Sequence, residues 1–199
     1  MSFATYPGGS WLDRRAVGHD LLRNFLCDLL GPTAINGRPN PVGSVAMILA
    51  MGSLTLGLTV MWWTMPRLLT GRSLGLTIRA CGALSLLGLV AVPLTPPTVS
   101  YPLHAAAVFT GGIPGAAAWL LALFGLAREP RTRRLASLGA LALAFMTVGF
   151  ALYSFQYFGG GGPTLLLPVS HRIATVFFLG WVIAVALQLK KATGCWSSA

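Results

Sequence analysis

VGSVAMILAMGSLTLGLTVMWWTM, residues Val42 to Met65, is a run of twenty-four residues without a charge. At ~1.5 Å per residue an α-helix of this length crosses a hydrocarbon core of roughly 30 Å. Four further apolar runs of similar length follow, Ser73–Leu94, Leu103–Ala127, Leu135–Phe158 and Val169–Leu189, with Arg79 in the first of them and Arg172 in the last. None alternates apolar and polar residues as a barrel strand does, and inside a bilayer only helices and closed barrels satisfy the backbone. The sequence therefore predicts an all-α, polytopic transmembrane helical bundle with five spans.

The composition agrees. Hydrophobic residues make up 55% of the 199 and charged residues 9%, against about a quarter charged in a soluble domain. Mean hydropathy is +0.73. A net charge of +10 raises nucleic acid as a partner, but the cations sit in loops between apolar runs rather than on a basic face, so that partner is excluded. Cys27, Cys81 and Cys195 have no paired spacing, and neither a disulfide framework nor a thiolate zinc site is implied. Residues 1–20 carry Asp13, Arg14 and Arg15 and lack the apolar stretch of a signal peptide.

The loop charges orient the bundle. Take the side on which the chain enters the first span as the near side. Arg67, Arg72, Arg79, Arg128, Arg131, Arg133, Arg134, Lys190 and Lys191 belong to the far side. Arg14, Arg15, Arg23, Arg38 and Arg172 belong to the near side. Nine cations against five place the far side, with the C-terminus, in the cytoplasm. Trp62 and Trp63 on the far side, and Tyr101, Tyr153 and Tyr157 on the near side, suit interfacial belts. Residues 1–41 then form an extracytoplasmic segment, 42–191 the bundle and 192–199 a cytoplasmic tail. Export of the first segment requires either unaided translocation or a sixth span upstream of Met1, and the second is the expectation.

Working outward from the first span, the preceding stretch is HDLLRNFLCDLLGPTAINGRPNP, His19 to Pro41. Leu21, Leu22, Phe25, Leu26, Leu29 and Leu30 share one side at helical spacing. His19, Asp20, Arg23, Asn24, Cys27 and Asp28 share the other. The pattern predicts an interfacial amphipathic helix, ended by Gly31-Pro32 and followed by turns at Asn36-Gly37 and Asn40-Pro41. Within the spans, Ser53 with Gly57, Gly82 with Gly88, and Gly139 offer small faces for close packing. Gly111-Gly112-Ile113-Pro114-Gly115 predicts a kink in the third span. Gly159–Gly162 is a flexible near-side loop without the lysine of a phosphate-binding loop.

All three histidines fall on the near side with Asp13, Asp20 and Asp28. Ionisable groups at membrane depth are costly and tend to mark sites. The candidate pocket comprises His19, Arg23, Asn24, Asp28, Asn40, His104, His171 and Arg172, with the amphipathic helix over the ends of spans three and five. Arg23, Arg38 and Arg172 have the guanidinium fork that suits a phosphate head group. Snorkelling to the interface is the plain alternative for each. His104, His171 and Asp28 are the residues a zinc ion would use, but no two histidines share a ligand spacing. Haem would require histidines facing each other within the bundle. No metal or other cofactor is therefore expected.

The segments TYPGGSWLDRR (Thr5–Arg15) and GHDLLRNFLCDLLGPTAINGRPNP (Gly18–Pro41), followed by apolar spans, resemble a bacterial multi-span membrane family grouped with the FRAG/DRAM/SFK-type proteins. The motif Asn-Phe-x-x-Asp-Leu corresponds to Asn24, Phe25, Asp28 and Leu29. His104 and His171-Arg172 also match. The resemblance implies six spans, of which this sequence has the last five. It further implies a bacterial cytoplasmic (inner) membrane location and a lipid-related role, without catalytic residues. The functional expectation is a protein that binds a lipid head group or a partner membrane subunit through the extracytoplasmic pocket. The alternative is a metal-assisted intramembrane hydrolase using His104, His171 and Asp28.

Overall fold

A computed structural model describes residues 2–192, so the expected tail beyond Ala192, with Cys195, lies outside the described residues. A one-turn helix α1 (Ser2–Thr5) opens the chain, and five long helices follow: α2 (Pro41–Thr64), α3 (Arg72–Leu94), α4 (Tyr101–Arg128), α5 (Arg133–Phe158) and α6 (Leu166–Ala192). Each is long and apolar enough to cross a membrane, and the protein is a multi-pass, all-α bundle. Proline sets two of the starts. Pro41 at the head of α2 and Pro102 in the first turn of α4 occupy positions where a missing N–H costs nothing.

The core lies between the helices towards the far side. Trp181 is fully buried, stacks on Trp119 with centroids 4.8 Å apart and donates from Nε1 to the carbonyl of Leu135 at 3.1 Å. Gly139 provides the room for its indole, and Gly82 does the same for Trp62. Trp62 is thus a core residue, whereas its neighbour Trp63 is exposed at the interface with Arg79 over its ring. Leucines such as Leu49, Leu56 and Leu87 point outward, as hydrocarbon-facing side chains do.

The glycines of the third span serve helix packing. Helix α4 runs unbroken through Pro114. A Cβ on Gly88 of α3 would overlap the backbone of Gly111 and stand 2.6 Å from the carbonyl of Ala107. This glycine pair brings α3 and α4 into backbone contact. The Ser53–Gly57 face is not used in this way among the described residues: a Cβ on Gly57 would meet nothing within 4 Å, and Ser53 bonds back to Leu49.

The expected amphipathic helix is absent. His19–Leu30 folds as a turn at Leu21–Arg23 and a short 3-10 helix, Leu26–Leu30. The reason is competition from side chains for the main chain. Asp20 Oδ1 accepts from the amides of Leu22 (2.8 Å) and Arg23 (3.3 Å), Asn24 Oδ1 from the amide of Asp20 (3.0 Å), and Asp28 Oδ2 from the amide of Phe25 (2.8 Å). The leucine stripe divides accordingly, with Leu29 and Leu30 buried and Leu21 and Leu22 exposed. The result is a folded cap, residues 2–40, seated on one end of the bundle.

Candidate functional site

Two tight turns supply the body of the cap. Gly8 and Gly9 take φ of 131° and 84°, values that favour glycine. They let residues 7–18 fold back on themselves, with a bridge between Gly8 and Val17 and a bond from the Gly9 amide to the carbonyl of Ala16 at 2.8 Å. A second turn closes between Thr33 and Pro39. The Asn36 amide donates to Gly8 at 3.3 Å and ties the two turns together. Tyr6 is buried beneath them, its hydroxyl accepting from the Ile35 amide at 3.2 Å. Burial pushes its phenol up to about 12.

At the centre are Asn24 and Asp28, both fully buried. Asp28 Oδ1 accepts from the Trp11 indole at 3.0 Å, and Oδ2 accepts from the Asn24 side-chain amide at 3.0 Å as well as from Phe25. Asn24 Nδ2 also donates to the carbonyl of Gly9 at 2.8 Å. One cluster therefore joins the first turn, the Asp20–Asn24 turn and the 3-10 helix. Burial raises the Asp28 carboxyl above the ordinary carboxylate range, opposed by its three donors and the Arg172 charge.

Four attachments fix the cap to the bundle. Arg172 Nη2, in the first turns of α6, donates to the carbonyl of Asn24 at 2.7 Å. Asn40 Nδ2 holds the carbonyls of Leu29 (3.2 Å) and Gly31 (3.0 Å), and Ser44 Oγ holds that of Leu30 (2.6 Å), both at the head of α2. Ser2 Oγ donates to Gly43 at 2.8 Å. The Trp11 ring meets Tyr101 at the start of α4, which in turn meets Tyr157 at the end of α5. Cys27 packs with Leu30, Val92 and Ala107, and burial lifts its thiol to about 12.

The eight candidate residues thus divide. Asn24, Asp28 and Arg172 come together as fastening, and Asn40 fastens separately at the head of α2. Arg172 does not snorkel outward but reaches into the cap. His19 sits edge-on to Phe3 and Tyr6, and burial, aided by the Arg172 charge, holds its imidazole below its ordinary value. His171 meets the edge of Phe25. Arg23 forms an exposed pair with Asp20 at 3.5 Å, an arrangement that contributes little. His104 takes no part in the cluster. It is buried, and its Nδ1–H donates to the carbonyl of Thr95 at 2.8 Å, closing the end of α3. Among the described residues no three His, Cys, Asp or Glu side chains converge as a metal would require, and both oxygens of Asp28 already have partners.

Trp11, Ser44 and Gly9 are participants that the sequence reading did not single out. Trp11 carried a usable signal, since an indole in a polar, turn-rich segment needs an acceptor when it is buried. On the cap's outer surface Arg14, Arg15 and Arg38, with Asn36, Ala16 and Val17, line an open recess of about 290 Å³. Comparison with protein-family models, curated proteins and solved structures gave no match, which leaves the family resemblance resting on its short motifs.

Proposed function

We propose that this protein is a non-catalytic component of a bacterial cytoplasmic membrane that binds an anionic lipid head group at the extracytoplasmic face. The supporting observation is the division of roles within the cap. Inside it Asn24, Asp28 and the Asn40 amide group are engaged in holding the fold together, although both ring nitrogens of His19 are buried without a hydrogen-bond partner, whereas the outward cations Arg14, Arg15 and Arg38 make no ion pair with an acidic side chain among the described residues. The loop-charge asymmetry supports an extracytoplasmic position for this face, at the level where phosphate head groups lie. The hydrolase reading would need His104, His171 and Asp28 to meet, and His104 is instead bonded to Thr95.

Native mass spectrometry of the full chain, extracted in a mild neutral detergent, tests this. The expected spectrum shows retained anionic lipid well above its share of the membrane. Retention in bulk proportion contradicts the proposal. One observation favours a second reading, a partner membrane subunit. An apolar groove of about 430 Å³ runs between α2 and α3, lined by Ile48, Gly52, Thr55, Leu89 and Pro93, beside the unpacked Gly57. A second polypeptide in the same spectra would support that reading.

A further inference from the structure

We infer that the recess formed by Arg14, Arg15 and Arg38 is a binding site for a phosphate group. This inference rests on the head-group reading above and assigns its residues and ligand chemistry. Arg38 is more than twenty residues from Arg14 and Arg15 in the chain, and the fold is what brings them together.

The scaffold beneath them is built from main-chain bonds. The Gly8–Val17 bridge and the Gly9-to-Ala16 bond hold the segment that follows Arg14 and Arg15. The Ala34 amide donates to the carbonyl of Arg38 at 2.9 Å, and the Arg38 amide donates to Asn36 Oδ1 at 3.1 Å. The Asn36 amide donates to Gly8 and locks one turn to the other. Gly8 marks how closely they approach, since a Cβ there would lie 2.9 Å from Asn36 Nδ2.

None of the three arginines stands within ion-pair distance of a carboxylate among the described residues. Asp13 is the nearest acid in sequence, and its Oδ1 accepts from the main-chain amide of Arg15 at 2.9 Å. Asp20 is paired with Arg23, and Asp28 is buried in the cap's centre. Three arginines line the one recess, and each side chain carries the fork that matches phosphate oxygens. The volume lies at the lower edge of small-ligand sites, which start at roughly 300 Å³, and so suits a head group rather than a large solute. Val17 on the rim is 90% exposed and Leu12 is also exposed. Apolar side chains beside a cationic hollow suit a phosphate that is carried on a lipid.

The test uses the full chain in neutral detergent. It is titrated with dihexanoyl-phosphatidylglycerol, with dihexanoyl-phosphatidylcholine and with inorganic phosphate. The proteins are the wild type, the triple variant R14Q/R15Q/R38Q and a far-side control, R67Q/R72Q. The wild type and control should bind phosphatidylglycerol, and the triple variant should bind it about tenfold or more weakly, as expected for lost charge-assisted bonds. Loss of inorganic phosphate binding with equal affinity in the same variant also supports the recess and identifies a soluble phosphate as its source. Undiminished phosphatidylglycerol binding by the triple variant overturns the recess but leaves the head-group reading standing at another surface. Failure of the wild type to prefer any phosphate ligand over phosphatidylcholine overturns both. The three arginines are exposed, so alkylation of Cys27 at the wild-type rate will show that the variant's cap is intact.

Discussion

Replacing Asp28 by Asn keeps the shape of the side chain and changes what its atoms can accept. Oδ2 receives two donors, Asn24 and Phe25, and Oδ1 receives one, the Trp11 indole. The single oxygen of asparagine is best used at the two-donor position. Its amide then faces the indole N–H of the half-buried Trp11, donor against donor, at the fully buried position 28. An orphaned buried donor costs about 1–3 kcal/mol. Removing a desolvated charge returns part of that, so the net cost of Asp28→Asn is about 1–2 kcal/mol. Local opening of the cap then rises roughly 5- to 30-fold. Cys27 reports that opening. Its thiol is held at about 12 in the closed cap, so alkylation proceeds through the open form. Label localised to Cys27 by mass spectrometry should appear faster by that factor. Trp11→Phe, which removes the donor and keeps the carboxylate, should also accelerate labelling. Asp13→Asn, at an exposed site, should change it little. A Cys27 rate in Asp28→Asn within about twofold of wild type, which is under roughly 0.5 kcal/mol, would refute the reasoning.

Gly88→Ala forces a Cβ into the backbone of Gly111 and should cost about 1–3 kcal/mol in thermal or denaturant unfolding, whereas Gly57→Ala, with open space around it, should be neutral or slightly stabilising. For His19, the folded value lies below the ordinary one through burial and the Arg172 charge. Its contribution is complete above about pH 6.5 and lost as pH falls from there towards the folded value. Hydrogen exchange of residues 19–30, corrected for intrinsic rates, should accelerate across that window, and His19→Gln should flatten the change. Asp28 acts in the opposite sense: its raised folded value means that its contribution declines as pH rises through the carboxylate range from about 3.9. Single cysteines at 95–102 and 159–166 should react with an impermeant reagent applied from outside. Those at 128–134 should react only after the membrane is opened.

The bundle was legible because charge is largely excluded from hydrocarbon, so five long apolar runs between Pro41 and Ala192, with only Arg79 and Arg172 among them, could be little else. The interior of the cap was not, and the residues show why. Asp20, Asn24 and Asp28 stand four apart, the same spacing that puts residues on one face of a helix. That spacing also lets each side chain capture a main-chain amide in its own neighbourhood, and here the captures win over the helix. Periodicity cannot separate the two outcomes. Gly111 and Pro114 pose a similar ambiguity, since glycines beside a proline read as a hinge, while the decisive partner is Gly88 on another helix. The gathering of the histidines and aspartates at one end followed from the order of the spans alone. That His104 would close the end of α3 while Arg172 would cross to Asn24 depended on how the cap turns.

The central claim is that residues 2–40 form one folded cap fastened to the bundle by buried polar groups, and hydrogen–deuterium exchange on the full chain in nanodiscs tests it most directly. The amides of Gly9, Asn24, Ala34 and Asn40 donate within the cap to Ala16, Asp20, Arg38 and Pro32. They should be protected and should exchange as a single unit. Arg172→Met, which removes the 2.7 Å bond to Asn24, should speed all four together by roughly tenfold or more, the effect of a lost hydrogen bond to a charged group. Exchange of these amides at the rate of an unstructured peptide, or four independent responses to Arg172→Met, would contradict the account.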